Sequence, residues 1–294
     1  MTSNSGNTSA AGRSGSGTDG LITFSARAIG GVARARSGAK PLGGALRSAP
    51  EARAAAIGRL PLLQGSTEED VSILARASRT QLLPRGACLP RATLRDVCVF
   101  LTGGLAKTVV SREDVDGELV LDVHGAGDLV SEAWRGEDSS EFVVAVEDSS
   151  ALLIAYRELE DVWAGNTTLA KRFLQWSSRR HARLSAFAVQ NACLDVGERL
   201  YCRLAELAHR HGRVTPEGLV VDHGLTQREV ADFAFASREN VNRQLGKWQD
   251  NGWIGVRRRS IVILNSEALS RSVSPMARRV GLGVGDGRCA LVEA

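Results

Sequence analysis

The sequence predicts an α+β chain: a β-roll or barrel in the N-terminal half, then a long helix, then a winged helix-turn-helix near the C-terminus. Three observations predict it. Short strand-like runs separated by Gly, Asp and Ser recur between about 80 and 156. An apolar stripe at steps of three and four runs from about 167 to 191. Two short capped helices, then a strand, a basic turn and a second strand, occupy residues 225–264.

The bulk numbers set the frame. A chain of 294 residues has room for roughly two domains. With 43% hydrophobic and 24% charged residues it has the balance of a globular protein. No apolar run approaches the roughly 18 residues of a membrane span, so no membrane partner is expected. The N-terminus has no apolar h-region; its Arg and Ser content and few acids loosely resemble a transit peptide, but its high Gly content and lack of amphipathic period favour a disordered extension. Cys88, Cys98, Cys193, Cys202 and Cys289 are odd in number and follow no pairing framework, which fits a reducing, cytoplasmic setting. A net charge of +4 is compatible with a nucleic-acid partner, but the location of the charge decides.

Residues 1–55 are rich in Gly, Ser and Ala, and their basic residues outnumber Asp19 and Glu51. Such a segment buries too little apolar surface to offset ordering entropy and is expected to be a disordered basic tail, either inert or weakly attracted to phosphates. A short helix is expected over about 57–75, with Thr67 as N-cap ahead of Glu68, Glu69 and Asp70. The runs 97–101 and 105–110 flank Thr102-Gly103-Gly104, a hairpin signal, and Asp116-Gly117 marks a second turn. On the long helix the stripe is Leu169, Phe173, Trp176, Leu184, Phe187 and Leu194, interrupted by Arg180 and Asn191. It packs either on its own β-domain or as a seam between two chains; the spare apolar surface of a helix flanked by two domains favours the seam. A further helix over 195–211 ends at Gly212 and Pro216. The limits expected are a tail at 1–55, a β-roll at 56–157, the long helix at 158–192, the winged helix-turn-helix at 193–270 and a second tail at 271–294.

The stretch 225–264 carries the chemistry. Thr226 and Glu229 form a capping box that starts a helix at Gln227. Ser237 caps a second helix striped by Val241, Leu245 and Trp248. The second helix of such a unit enters the major groove by its N-terminal end. Its other face offers Arg238 and Arg243 to guanine O6 and N7 and Glu239 to cytosine N4, with Asn240 beside them. Glu239 and Arg243 are four apart, a spacing at which they pair and stiffen each other. Ser237, Gln227 and Lys247 are placed for phosphates, and Arg257, Arg258 and Arg259 form the basic tip of the wing. The competing view is a winged helix used for protein contacts, with these charges as a solvated face.

The stretch "TQREVADFAFASRENVNRQL" resembles the helix-turn-helix of the CRP/FNR regulators, the cyclic-AMP receptor protein family, through Ser237-Arg238-Glu239, Val241 and Arg243. Upstream, "ACLDVGERLYCRLAELA" is similar to the family's hinge segment, with Asp195 at the hinge, and "GAGDLVSEAW" resembles a turn of its cyclic-nucleotide-binding β-roll. The resemblance covers about 80–265. It implies a sensory β-roll, a homodimer through the long helix, and an inverted repeat with GTGA-like half-sites in double-stranded DNA. It adds RNA polymerase as a candidate partner. One departure stands in the turn between the two helices, where the family usually carries Gly and this chain has Phe235.

The resemblance also defines an effector pocket, and the chain departs from it. Glu132 matches the family's ribose ligand, but Ser139 or Ser140 falls where an Arg should hold the cyclic phosphate, and only Arg135 is near enough to replace it. Leu184 and Ser185 fall where the family contacts adenine; Ser185 fits and Leu184 does not. A buried phosphate without its charged partner is poorly compensated. Weak or no cyclic-AMP binding is therefore expected, leaving an unidentified nucleotide-like effector or none. No metal or cluster is expected, since four thiolates do not come together and Cys202, His209 and His211 have no ligand spacing. Gly15, Gly17 and Gly20 satisfy a dinucleotide pattern but lie in the Ser/Gly tail, and no catalytic motif supports an enzyme. The alternative function is a ligand sensor that acts through protein contacts rather than DNA.

Overall fold

The computed structural model describes residues 45–46, 48–90, 97–112, 117–131 and 141–281. Strand β1 (Ala45–Leu46) precedes helix α1 (Pro50–Ile57), a 3-10 turn at Pro61–Leu63 and helix α2 (Glu68–Arg76). Order therefore begins before residue 55. Pro50 presets the first helical φ, the alanines supply propensity, and Ile57 is fully buried. Arg53 ties the helix down by donating from Nε to the Ala75 carbonyl at 2.8 Å. The single helix expected over 57–75 is instead divided by the proline-led turn. Its expected cap is present: Thr67 Oγ1 accepts from Asp70 N at 3.1 Å and Asp70 accepts from Thr67 N at 2.8 Å.

Strands β2 (Ser78–Leu83), β3 (Cys88–Pro90), β4 (Val97–Gly103), β5 (Ala106–Arg112), β6 (Gly117–His124), β7 (Leu129–Ser131), β8 (Glu141–Ala145) and β9 (Ser149–Ala155) build two antiparallel sheets. Their orders are β1-β2-β9-β4-β7 and β3-β8-β5-β6. The hairpin expected at Thr102-Gly103-Gly104 does not form, because β4 and β5 lie in different sheets. The chain crosses at Gly104, where φ is 80° and an added Cβ would stand 2.8 Å from the Ser149 Cα. Another crossing, from β8 to β9, passes there too, and Ser149 Oγ donates to the Leu105 carbonyl at 3.1 Å. By contrast β5 and β6 pair as expected around residues 113–116, which lie outside the described residues.

Helix α3 (Tyr156–Gly165) leads to α4 (Thr167–Cys193) and α5 (Val196–His211). Only Leu194 and Asp195 separate the last two, and Asp195 caps α5 with Glu198 as its box partner. Strands β10 (Gly212–Thr215) and β11 (Gly218–Asp222) follow, then α6 (Gln227–Phe233), α7 (Arg238–Asp250), β12 (Ile254–Val256) and β13 (Ser260–Ile263). The wing is thus part of a four-stranded sheet, β10-β11-β13-β12. Helices α8 (Ser266–Arg271) and α9 (Pro275–Gly281) replace the first part of the expected C-terminal tail. Ala277 is fully buried, and its carbonyl accepts from the Cys202 thiol at 3.4 Å. The rest of that tail lies outside the described residues.

Three apolar clusters hold these layers. One fills the roll between its sheets, with Val99, Leu101, Val143 and Leu153. A second joins one outer face to α1, α2, α3 and the start of α4 through Phe100, Ile154, Leu159 and Leu169. The third is continuous from the other sheet, through Val109, Val120, Val123 and Val144, into α5, α6 and α7. The helix-turn-helix unit therefore shares its core with the β-roll.

Candidate nucleic-acid interface

Helix α6 starts on the expected capping box. Thr226 N donates to Glu229 Oε2 at 2.7 Å and Thr226 Oγ1 accepts from Glu229 N at 3.3 Å. The other Glu229 oxygen is ion-paired with Lys107 of β5, whose side chain is buried. Burial alone would raise the Glu229 pKa, but Lys107 and the Thr226 bonds hold it below the usual range. Helix α7 starts at Ser237, whose Oγ accepts from Asn240 N at 3.2 Å. Val241, Leu245 and Trp248 are buried beneath it, as the stripe requires.

Ser237, Arg238, Glu239, Asn240, Arg243 and Lys247 are all exposed on this helix, and Gln227 is exposed at the start of α6. Glu239's own backbone N–H and the Ser237 hydroxyl hold the Glu239 carboxyl below its usual range, so it stays an ionised acceptor. The expected Glu239–Arg243 pair is not made. Arg243 Nη2 instead donates to the side-chain oxygen Oδ1 of Asn240 one turn back. That neighbour is three residues away and the bond is direct, so it prevails over an exposed ion pair at four.

The wing arginines divide. Arg257 pairs with Glu217 of the β10–β11 turn. Arg258 is exposed. Arg259 is turned inward, against the expectation of a tip residue: its Nη1 donates to the Gly224 carbonyl at 2.9 Å and reaches the Val146 carbonyl at 3.4 Å. A charged donor thus serves two carbonyls where roll and wing meet.

The turn between α6 and α7 holds the largest surprise. Among the described residues Phe235 is the one non-glycine residue with positive φ, at 50°. It sits after the α6 C-cap, where glycine is usual, and Ala236 N donates to the Ala231 carbonyl at 3.0 Å. A left-handed bulky residue costs about 1–2 kcal/mol. Two contacts offset it. The Phe235 ring meets Phe187 of α4 edge-on, with centroids 4.5 Å apart and planes at 74°. Arg199 of α5 donates from Nη2 to the Phe235 carbonyl at 3.2 Å, from Nε to the Ala234 carbonyl at 3.0 Å and from Nη1 to the Leu194 carbonyl at 2.6 Å. Sequence reading found the departure at Phe235 but not Phe187 or Arg199 as its supports; periodicity does not report contacts across helices.

The stripe expected to face a partner chain is largely used within this chain. Leu169 and Leu194 are buried, Phe173 stacks between Trp163 (4.3 Å) and Trp176 (5.7 Å), and Phe187 meets Phe235. Of the six, Leu184 alone is exposed, and it is joined by Leu174 and Val189, which the stripe did not include. Asn191, expected as a register-setting residue, donates within its own helix to the Phe187 carbonyl at 3.0 Å.

Of the pocket candidates, Glu132, Arg135, Ser139 and Ser140 lie outside the described residues, while Leu184 and Ser185 are exposed on α4. Among the described residues no group of three His, Cys, Asp or Glu side chains is placed to hold a metal ion. Burial pushes the Cys202 thiol up to about 12, so it remains protonated. Among the described residues no helix is long and apolar enough to cross a membrane.

Comparison with known proteins agrees with this architecture. The model of the Crp-like helix-turn-helix domain matches residues 198–272. The chain is 26% identical over 219 residues to a CRP-like cAMP-activated global transcriptional regulator of Mycobacterium tuberculosis, covering 73% of this chain and 97% of that one. It is 28% identical over 222 residues to the global nitrogen regulator of Synechococcus elongatus, covering 74% and 92%. In fold it is similar to a CooA variant from Carboxydothermus hydrogenoformans, with TM-score 0.61 and 20% identity over 73% of this chain and 95% of that one. A cyclic nucleotide-binding domain containing protein from Listeria monocytogenes aligns with TM-score 0.56 and 12% identity, covering 74% and 98%. With its β-roll, long helix and capped helix-turn-helix, the chain carries a Crp-like helix-turn-helix domain and is similar over about three quarters of its length to CRP/FNR-type DNA-binding transcription regulators.

Proposed function

We propose that two copies of the chain bind an inverted repeat in double-stranded DNA, with GTGA-like half-sites about one helical turn apart. The observation that carries this reading is the exposed, Ser237-capped start of α7, where Arg238, Glu239 and Arg243 stand together. Two guanidinium groups suit two guanines and an ionised carboxylate suits a cytosine amino group. Ser237, Gln227, Lys247 and Arg258 then hold phosphates, with Arg257 available once it leaves Glu217. Leu174, Leu184 and Val189, exposed on α4, support a two-fold contact between long helices.

The limits that suit this function are a sensor roll with its flanking helices from 48 to 165, a dimer helix from 167 to 193 and a DNA-binding unit from 194 to 281. Cys193 and Cys202 are free thiols, which supports a cytoplasmic setting. RNA polymerase is the further partner that the family reading implies. The effector pocket is degenerate toward cyclic AMP, because no arginine stands in the sequence at the phosphate position.

Selection from randomised duplexes tests the DNA reading. An enriched GTGA-type inverted repeat is expected, and recovery of no palindrome would overturn it. Calorimetry tests the pocket separately, with no heat of binding expected at micromolar cyclic AMP and a micromolar dissociation constant counting against it.

A further inference from the structure

We infer that Phe235 is a positioning residue which, through Phe187 and Arg199, fixes the angle of the α7 recognition helix against the long helix α4. The inference rests on the reading of α7 as the helix that enters DNA.

Phe235 occupies a backbone conformation that glycine takes freely and a bulky residue does not. Such a conformation persists only where its surroundings over-determine it. Here they do, and the constraints come from α4 and from the start of α5. The ring packs on Phe187, which is itself covered by the Arg203 guanidinium at 3.9 Å from its centroid. The Arg199 guanidinium holds the Phe235 carbonyl and, with a different nitrogen, the carbonyl of Leu194, the residue that ends α4. Arg203 also lies 5.1 Å from the Phe233 ring on α6. The turn is thus gripped from two directions, at its side chain by Phe187 of α4 and at its main-chain oxygen by Arg199 of α5, which is itself bonded to the residue after α4. Helix α7 begins three residues after Phe235, and its first residues are Arg238 and Glu239.

In a dimer built on α4, the separation of the two recognition helices depends on how each is seated on its own α4. A glycine at 235 would keep the turn and lose the side-chain connection. A residue that merely filled space would affect stability and affinity together. A positioning residue separates them.

The test compares wild type, Phe235→Gly and Phe187→Ala, using duplexes that carry the repeat selected by the wild type. A second set has the half-site spacing changed by one base pair, and a third has unrelated sequence. Each variant is assayed at a temperature where circular dichroism shows it folded. For Phe235→Gly we expect an unchanged or raised melting temperature, specific affinity lowered at least tenfold, unrelated-sequence affinity unchanged, and the preference for correct spacing flattened. Phe187→Ala should reproduce the affinity and spacing effects from the other helix, and it decides the question alone if Phe235→Gly does not fold. Wild-type specificity and spacing preference retained in both variants, or in Phe187→Ala alone in that case, would overturn the inference while leaving the DNA reading intact. Failure of the wild type to bind any duplex specifically would overturn the DNA reading and this inference with it.

Discussion

Arg210 Nη1 lies 2.6 Å from Asp122 Oδ1, joining the helix that follows the hinge to a strand of the β-roll. The other arm of the same guanidinium is 2.9 Å from Asp128 Oδ2. Arg183 of α4 approaches Asp122 at 3.7 Å and Glu206 of α5 at 3.6 Å, while Arg203 holds Glu206 at 3.1 Å. Three arginines and three carboxylates from the roll, the long helix and the DNA-binding unit meet in one network. Burial alone would raise the Asp122 pKa, but Arg210, His124 and Arg183 hold it well below the carboxylate range.

Removing the central member should be expensive. Arg210→Ala leaves Asp122 and Asp128 without their shared partner, and breaking such a pair costs about 3–5 kcal/mol. Urea unfolding followed by tryptophan fluorescence should show a lower midpoint and an unfolding free energy reduced by that amount. A change below about 1 kcal/mol would mean the network behaves as an exposed surface pair.

Acid should destabilise the fold before its carboxylates titrate. His124 and His223 are buried, and burial lowers each to about 4, from about 6.5 when unfolded. Between those values the unfolded chain binds protons that the folded chain excludes, so stability is full above about pH 6.5 and falls toward pH 4. Each histidine contributes roughly 3 kcal/mol over that window. Asp122 acts in the same direction at lower pH, its stabilisation present above the ordinary carboxylate pKa and lost as pH falls below it. His124 also shares a hydrogen bond of 2.8 Å with Thr108 Oγ1. His124→Gln should flatten the slope of stability against pH between 6.5 and 4 in part, with His223 and His211, whose pKa burial also lowers, supplying the rest. An unchanged slope in chemical denaturation across that range would contradict the assignment.

The wing arginines should separate by experiment as they do by geometry. Arg258→Ala should weaken binding to all sequences evenly and lower the salt slope by about 1, since it removes one phosphate contact. Arg259→Ala should leave the salt slope nearly unchanged and lower stability by about 1–3 kcal/mol, because the Gly224 and Val146 carbonyls lose a charged donor. Equal salt slopes and equal melting temperatures for the two variants would refute the division.

These outcomes show where the sequence was readable. The Thr226–Glu229 box, the Ser237 cap and the Val241, Leu245, Trp248 stripe are local, each spanning a few residues, and all stand where periodicity and capping chemistry put them. The expected hairpin at Gly104 does not form because β4 and β5 pair into different sheets, a long-range choice that local turn chemistry does not see. Helix α9 was missed because it is short, with Ala277 as its buried anchor and the partner Cys202 75 residues upstream. Arg259 read as a basic tip, yet its acceptor on the roll is 113 residues distant. Lys107 gave no signal at all, since its partner Glu229 lies 122 residues along the chain. The six-residue stripe on α4 was correctly apolar, but period alone does not say whether such a face meets its own chain or another.

The most direct test of base reading is a comparison of wild type and Arg238→Ala on the selected repeat and on each single-base-pair variant of one half-site, at fixed salt. The account predicts that Arg238→Ala loses about 1–3 kcal/mol on the intact site and stops discriminating at one base pair, while discrimination elsewhere persists. Weakening by the same factor on every duplex would contradict it and would make Arg238 a phosphate contact.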